Sequence, residues 1–156
     1  GFNYNKNFSN ITFVADYTII QTNNINILCI GGGLSIDRLH RTEGKSYWKN
    51  EFPIYNEEEL LGIKDGIDVI VTHTAPHYTP PFTKDGVEFF INYDRLLEED
   101  VLKERSILTK VFDCLLSSNK LPKKWYYGHF HFSNFMTYKG VDFCGLDVYE
   151  VAELRI

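Results

Sequence analysis

Two histidines separated by a single residue stand in the segment Gly128-His129-Phe130-His131. In a β-strand, side chains at positions i and i+2 point to the same face. The imidazoles of His129 and His131 are therefore predicted to converge on one metal ion or on two adjacent ions. Phe130 is then predicted to point the other way, into apolar packing. Gly128 lacks a side chain, so another backbone or a ligand can approach closely just before the pair.

A third histidine, His73, ends another apolar segment at residues 67–72. Ligands of α/β proteins gather just beyond the carboxyl ends of strands, and imidazole is a common neutral ligand for zinc, manganese and iron. His73, His129 and His131 are therefore candidate metal ligands. They would form either a mononuclear zinc site, with water as the fourth ligand, or one part of a binuclear site. The alternative is that the three histidines are packed side chains that bind no metal.

The other two histidines are weaker candidates for a functional site. His40 lies between arginines and is interpreted as a surface residue. His77 lies in a proline-rich segment at 74–81 and is interpreted as a solvated loop residue.

Three consecutive glycines, at 31–33, follow the apolar run at 25–30. They do not match the nucleotide-binding patterns, because Ile36 occupies the place of the third glycine in the dinucleotide motif. No Gly-Lys-Ser/Thr follows either. We interpret the segment as a tight turn beside a site at the carboxyl edge of a strand.

The hydrophobic periodicity predicts a mixed α/β fold in which one long helix packs on a mixed sheet. With 156 residues, the chain has the length of a single domain. We expect a polar arm at 1–10 and one domain over 11–156. Strands are predicted where β-branched and aromatic residues cluster, at 11–15, 17–22, 25–30, 67–73, 125–129, 132–138 and 141–148.

The long helix is predicted over residues 98–118, where apolar residues recur at helical spacing. The predicted buried stripe contains Val101, Leu102, Leu108, Val111, Phe112, Leu115 and Leu116. The charged residues that fall mostly off this stripe are Lys103, Glu104, Arg105 and Lys110.

The net charge of −5 gives the chain no basic surface for nucleic acid or for anionic membranes. No apolar run approaches the roughly 20 residues of a membrane span. Three cysteines, Cys29, Cys114 and Cys144, lie far apart and form no Cys-x-x-Cys pair. They are predicted to be reduced thiols, which favours a cytoplasmic protein.

The order of these motifs resembles the C-terminal half of calcineurin-like metallophosphoesterases. The similarity runs from about residue 11 to 150 and includes Gly-Gly-Gly-Leu-Ser-Ile-Asp-Arg at 31–38, Val-Thr-His at 71–73, an amphipathic helix, and Tyr-Gly-His-Phe-His at 127–131. The glycine segment is similar to that of bacterial and phage protein-phosphatase-like members.

This resemblance implies a four-layer αββα sandwich that holds two divalent transition metals, which can be Mn, Fe, Zn or Ni. It implies that His73 and His129 ligate one metal and that His131 ligates the other. It also implies hydrolysis of a phosphoester by a metal-activated hydroxide.

The family's Asp-x-His, Gly-Asp-x-x-Asp and Gly-Asn-His-Asp/Glu motifs are not found in this sequence. We therefore expect the chain to be the C-terminal portion of such a domain. Without a bridging carboxylate, we expect at most one bound metal and little or no hydrolysis by this chain alone. We also expect self-association through the surface that the other half would cover. The alternative is a non-catalytic binding or interaction module of the same fold. The substrate is expected to be phosphorylated, and its class is left open.

Overall fold

The structure, a computed structural model, describes residues 10–22, 24–81 and 87–154. Within them, six strands form one mixed sheet, and a long helix packs on it. The strands are β1 (Thr18–Thr22), β2 (Ile25–Ile30), β3 (Val69–Thr72), β4 (Lys124–Tyr127), β5 (Asn134–Tyr138) and β6 (Val141–Gly145). The helices are a 3-10 turn (Arg38–His40), α1 (Glu57–Gly62), α2 (Glu88–Ile91) and α3 (Leu97–Ser117). The predicted mixed α/β fold is confirmed, and the four-layer sandwich stays a prediction.

The strand order across the sheet is β1-β2-β3-β4-β6-β5. The four inner strands β2, β3, β4 and β6 are parallel, and the outer strands β1 and β5 are antiparallel to their neighbours. Because parallel strands end at the same edge of a sheet, the segments that follow β2, β3 and β4 meet at one edge. These segments begin at Gly31, His73 and Gly128.

The central strands are apolar on both faces, as expected for parallel strands that are covered on both sides. Leu28, Ile70 and Trp125 belong to the large core cluster that includes the buried face of α3. Their chain neighbours Ile27, Val69 and Tyr126 form a smaller cluster on the opposite face.

One strand prediction is wrong, and several others extend beyond the observed strands. Residues 11–15 form no strand, and the strand predicted at 125–129 ends at Tyr127. The first segment has strand-forming residue types, but it pairs with no edge of the sheet. The second ends where β4 stops pairing with β6, at Tyr127 and Gly145. The strands predicted at 67–73, 132–138 and 141–148 are observed as Val69–Thr72, Asn134–Tyr138 and Val141–Gly145.

The predicted buried stripe of α3 is also partly wrong. Leu102 and Leu116 are 58% and 42% exposed, whereas Glu104 and Arg105 are only 1% and 7% exposed. The physical reason is that this part of α3 faces loops as well as the sheet. The polar backbone groups of those loops form hydrogen bonds with charged side chains of the helix.

The three cysteines are unpaired, as predicted, with Cys114 buried and the other two half-buried. Within the residues that the structure describes, no helix is both long enough and apolar enough to span a bilayer. Residues 1–9 of the predicted polar arm lie outside the described residues.

Candidate metal centre

Two of the three candidate histidines are in direct contact at the carboxyl edge of the sheet. His73 directly follows β3, and His129 lies two residues beyond β4. Nδ1 of His129 lies 3.0 Å from Nε2 of His73, and the ring centroids are 4.7 Å apart. The backbone N–H of Gly128 donates to the carbonyl of His73 over 3.0 Å, which joins the starts of the two loops. The structure thus brings together two residues that are 56 positions apart in sequence.

His129 and His131 do not lie on a strand, so the same-face argument for them is wrong. Both have left-handed backbone conformations, with φ of 69° and 54°. The N–H of Phe130 donates to the carbonyl of Gly128 over 2.8 Å, which closes a tight turn directly after β4. This turn, and not the pleat of a strand, sets the positions of the two imidazoles. Phe130 packs against the main core cluster, as predicted, but together with His129 and His131 it also lines the larger of two adjacent cavities.

The glycine turn after β2 lies in close contact with neighbouring residues. A Cβ atom on Gly33 would overlap the imidazole ring of His73. Gly32 has a φ of 94° and packs against the backbone of Pro53, which a side chain would also obstruct. The turn therefore lets the loop after β2 lie directly against the histidine after β3. The close approach predicted for Gly128, by contrast, is not observed, since a Cβ atom there would meet only the carbonyl of Leu146 at 3.9 Å.

Four backbone N–H groups in and directly after this turn donate to acidic residues. Gly31 donates to Oδ1 of Asp16 (2.7 Å), Gly33 to the carbonyl of Glu51 (2.7 Å), Leu34 to Oε1 of Glu104 (2.5 Å) and Ser35 to Oε1 of Glu51 (2.8 Å). A phosphate cradle needs such N–H groups to be free for the ligand. The structure thus agrees with the interpretation of a turn beside the site. The three acidic partners were not predicted, because they are far apart in sequence and belong to no motif.

The environment of the histidine pair favours neutral imidazoles. Burial, followed by the nearby His131, lowers the pKa of His73. Burial, followed by the charges of His73, His131 and Arg105, lowers the pKa of His129 to about 4. Near neutral pH both rings are therefore uncharged, which is the form that binds metal ions. In the metal-free pair, one ring nitrogen donates a hydrogen bond and the other accepts it.

The separation of the two nitrogens can be compared with that of two ligands on one ion. Imidazole nitrogens that bind a tetrahedral zinc ion at about 2.0–2.1 Å lie about 3.4 Å apart. The observed 3.0 Å is within a few tenths of an ångström of this value. The distance between these two nitrogens is therefore compatible with their binding one ion, once the rings turn so that both lone pairs face it. In the described part of the chain, no three His, Cys, Asp or Glu side chains converge closely enough to hold an ion. Water or a rearranged His131 would supply further donors.

Two cavities adjoin the histidines, and His73, His129 and His131 line both of them. The smaller, about 240 Å³, lies along the ends of β3 and β4 and beside residues 146–148. The larger, about 880 Å³, is bounded by the glycine turn, by Glu104 and by apolar side chains such as Phe90 and Phe132. A ligand could therefore reach the imidazoles from either side.

The remaining two histidines are not part of this site. His40 is exposed in the 3-10 turn, as predicted. His77 is exposed too, and its Nδ1 lies 2.7 Å from the hydroxyl of Thr109 on α3.

A scan against protein-family models and a search of curated proteins both give no match for this chain. Its function is therefore inferred from the geometry of the histidine pair and from the motifs in the sequence.

The substitution Gly33→Ala is expected to displace the His73 ring and so change its contact with His129, because the added methyl group would overlap the ring. Overpacking of this kind lowers the free energy of unfolding by about 1–3 kcal/mol. Long-range ¹H–¹⁵N NMR spectra of the imidazoles would show changed resonances for both histidines. The control is Gly128→Ala, whose methyl group would meet only the carbonyl of Leu146 at 3.9 Å. Equal spectral changes in both variants would contradict the prediction.

Proposed function

We propose that this chain is part of a metal-dependent phosphoesterase, in which His73 and His129 hold a divalent transition metal and His131 is a further candidate ligand. Mn, Fe, Zn and Ni all suit imidazole ligands. The observation that carries the proposal is the contact of 3.0 Å between Nε2 of His73 and Nδ1 of His129. It lies where parallel strands end, which is where α/β proteins bind their ligands. The motif order that resembles calcineurin-like metallophosphoesterases supports the same function.

The proposal assigns a role to each group at the carboxyl edge of the sheet. A bound ion would withdraw charge from phosphate oxygens and lower the pKa of water. The chain supplies two neutral imidazoles as ligands, and the absence of a side chain at Gly33 leaves room for the His73 ring. The larger cavity, of about 880 Å³, has the size of a site for a small molecule. Its mostly apolar wall and the occupied N–H groups of the glycine turn leave the phosphate to be held mainly by the metal. The substrate is proposed as a phosphorylated compound, with its class open.

We expect one bound ion and weak hydrolysis from the residues described. Two dications placed close together repel each other unless an anionic ligand lies between them. Among the described residues, no acidic side chain forms a group of three or more metal donors with His73 and His129. Slow turnover of an activated ester such as p-nitrophenyl phosphate is therefore expected, even at saturating metal.

Metal analysis of four proteins tests the proposal. The wild type is expected to bind about one Zn²⁺ or Co²⁺ per chain, since two neutral imidazoles supply no bridge for a second ion. His73→Ala and His129→Ala are each expected to lose at least about tenfold in affinity, because each removes a ligand. His40→Ala is the control, since His40 is exposed and outside the site. Elemental analysis gives the stoichiometry, and calorimetric titration gives the affinities. No binding by the wild type would refute the metal site, and two ions per chain would refute the single-ion site.

The second candidate is a non-catalytic binding module. It is favoured by the absence of any group of three or more donors that could hold an ion among the residues described. A wild-type protein that binds no metal and hydrolyses no phosphoester would support this candidate. The self-association predicted from the sequence stays a prediction, and light scattering would measure it.

A further inference from the structure

Two adjacent charged residues on α3, Glu104 and Arg105, are buried at the base of the loops that carry the histidines. Both side chains are almost inaccessible to solvent. Charged groups remain buried only when they have hydrogen-bonding partners, because removal from water is costly. Their partners therefore show what the two residues do.

The carboxylate of Glu104 joins the loop after β2 to the loop after β3. Oε1 accepts a hydrogen bond from the N–H of Leu34 at 2.5 Å, and Oε2 accepts one from the hydroxyl of Thr74 at 3.2 Å. Leu34 directly follows Gly33, which lies against the His73 ring. Thr74 directly follows His73 itself. One buried side chain thus holds Leu34 and Thr74, which directly follow Gly33 and His73.

The guanidinium of Arg105 joins the loop after β3 to the turn after β4. It donates to four backbone carbonyls, those of Ala75 (3.3 Å), Pro76 (2.7 Å), Thr79 (2.5 Å) and Pro81 (2.6 Å). Its central carbon also lies 5.2 Å from the ring centre of Phe130, between His129 and His131 in the chain. Arg105 therefore contacts segments that adjoin each member of the histidine pair.

We propose that Glu104 and Arg105 are positioning residues, which hold the loops after β2, β3 and β4 so that His73 and His129 meet. Both project from a helix of 21 residues that packs on the sheet, so they form a rigid base for three loops. The value of this arrangement for metal binding rests on the proposed function. The arrangement itself is a property of the metal-free protein.

A direct role of Glu104 as a metal ligand makes a different prediction. Both carboxylate oxygens already accept hydrogen bonds, from Leu34 and Thr74, which fits a positioning role. A glutamine can satisfy the same partners, since its oxygen can accept from Leu34 and its amide can donate to the Thr74 hydroxyl. A glutamine cannot supply the negative charge that an acidic ligand would provide.

Co²⁺ titration of the whole chain separates the two roles. Glu104→Gln is expected to bind Co²⁺ within about threefold of the wild type, with an unchanged visible spectrum. Glu104→Ala is expected to lose about 10–100-fold in affinity and to alter the spectrum, as loss of groups that orient ligands does. Glu99→Ala, exposed on the same helix, is the control. If Gln weakens binding as much as Ala does, or if Ala behaves as the wild type, the positioning role is overturned.

Imidazole NMR of the metal-free proteins distinguishes a failure of this inference from a failure of the proposed function. Wild type that binds no Co²⁺ would refute the metal site alone. The resonances of His73 and His129 should still shift in Glu104→Ala and remain in place in Glu104→Gln. Should Glu104→Ala fail to fold, Thr74→Val removes only the hydrogen bond to Thr74 and is expected to shift His73. Unchanged His73 resonances in Thr74→Val would then overturn the inference.

Discussion

Phe112→Ala is expected to lower the free energy of unfolding by about 3–5 kcal/mol, as other buried phenylalanines do when truncated. The ring of Phe112 lies in the middle of an aromatic cluster beneath α3. Its centre is 5.3 Å from that of Tyr78, 5.8 Å from Tyr138, 5.9 Å from Phe143 and 6.4 Å from Trp125. Neighbours this large, fixed on different elements, can close only part of the cavity. The expected loss is a large share of the roughly 5–15 kcal/mol that stabilises a typical domain.

Urea denaturation measures this effect, with Leu116→Ala as the matched control. Leu116 lies on the same helix, but it is 42% exposed, whereas Phe112 is 1% exposed. Its truncation is expected to change stability by less than about 1 kcal/mol, since little apolar surface is returned to water. A similar loss in the two variants would show that α3 does not bury Phe112 against the sheet.

Glu104→Gln is expected to change how stability depends on pH. Burial raises the pKa of Glu104 from 4.5 to about 7. The hydrogen bonds from Leu34 and Thr74 and the charge of Arg105 lower this pKa, and the charge of Glu51 raises it, but burial is the largest cause. The folded state therefore binds the proton of Glu104 more tightly than the unfolded state does. This contribution is fully present below pH 4.5 and is lost as the pH rises to about 7. The loss is of the order of 3 kcal/mol, since one pKa unit corresponds to about 1.4 kcal/mol.

The unfolding free energies of variant and wild type are measured from pH 4 to 8 with a chelator present. Their difference gives the contribution of Glu104 ionisation alone. Other titrating residues, including the histidines, contribute equally to both proteins and cancel. Glu104→Gln should gain about 3 kcal/mol relative to the wild type across the window, because glutamine does not ionise. The exposed Glu99→Gln should show no such gain. Parallel curves for Glu104→Gln and wild type would mean that Glu104 ionises in the folded protein as it does in the unfolded chain.

Local patterns predicted much of the fold. The strand at 25–30 was predicted with its observed ends, and the helix at 98–118 differs from α3 by one residue at each end. The strands predicted at 132–138 and 141–148 leave only Lys139 and Gly140 between them, and both residues have the positive φ that a tight hairpin needs. In each case the signal lies within a few neighbouring residues, so the sequence contains it directly.

Features that depend on distant partners could not be predicted in this way. Residues 11–15 have strand-forming side chains, but a strand also needs a free edge with which to pair. The burial of Glu104 and Arg105 was missed for a related reason. A polar position on a helix looks the same in sequence whether it faces water or the backbone groups of a loop.

The same distinction applies to the candidate site. Some of its features follow from the order of the elements, and others depend on distant partners. The meeting of His73 with His129 follows from the rule that parallel strands present their carboxyl ends at one edge, and that rule needs only the order of the elements. The geometry of His129 and His131 depends on where β4 ends, and the end of a strand is set by pairing across the sheet. The acids around the glycine turn, Asp16 and Glu51 among them, come from segments with no motif.

The turn after β4 limits how far substitutions can raise the free energy of unfolding while the candidate metal centre is kept. Left-handed backbone at residues other than glycine costs about 1–2 kcal/mol each, and His129 and His131 both adopt it. Glycine or asparagine would suit these two positions better. Laboratory selection for heat resistance alone would thus favour replacing His129, a ligand in the proposed metal site, and His131, a further candidate ligand. A screen for variants with higher thermal stability should therefore measure metal binding together with melting temperature.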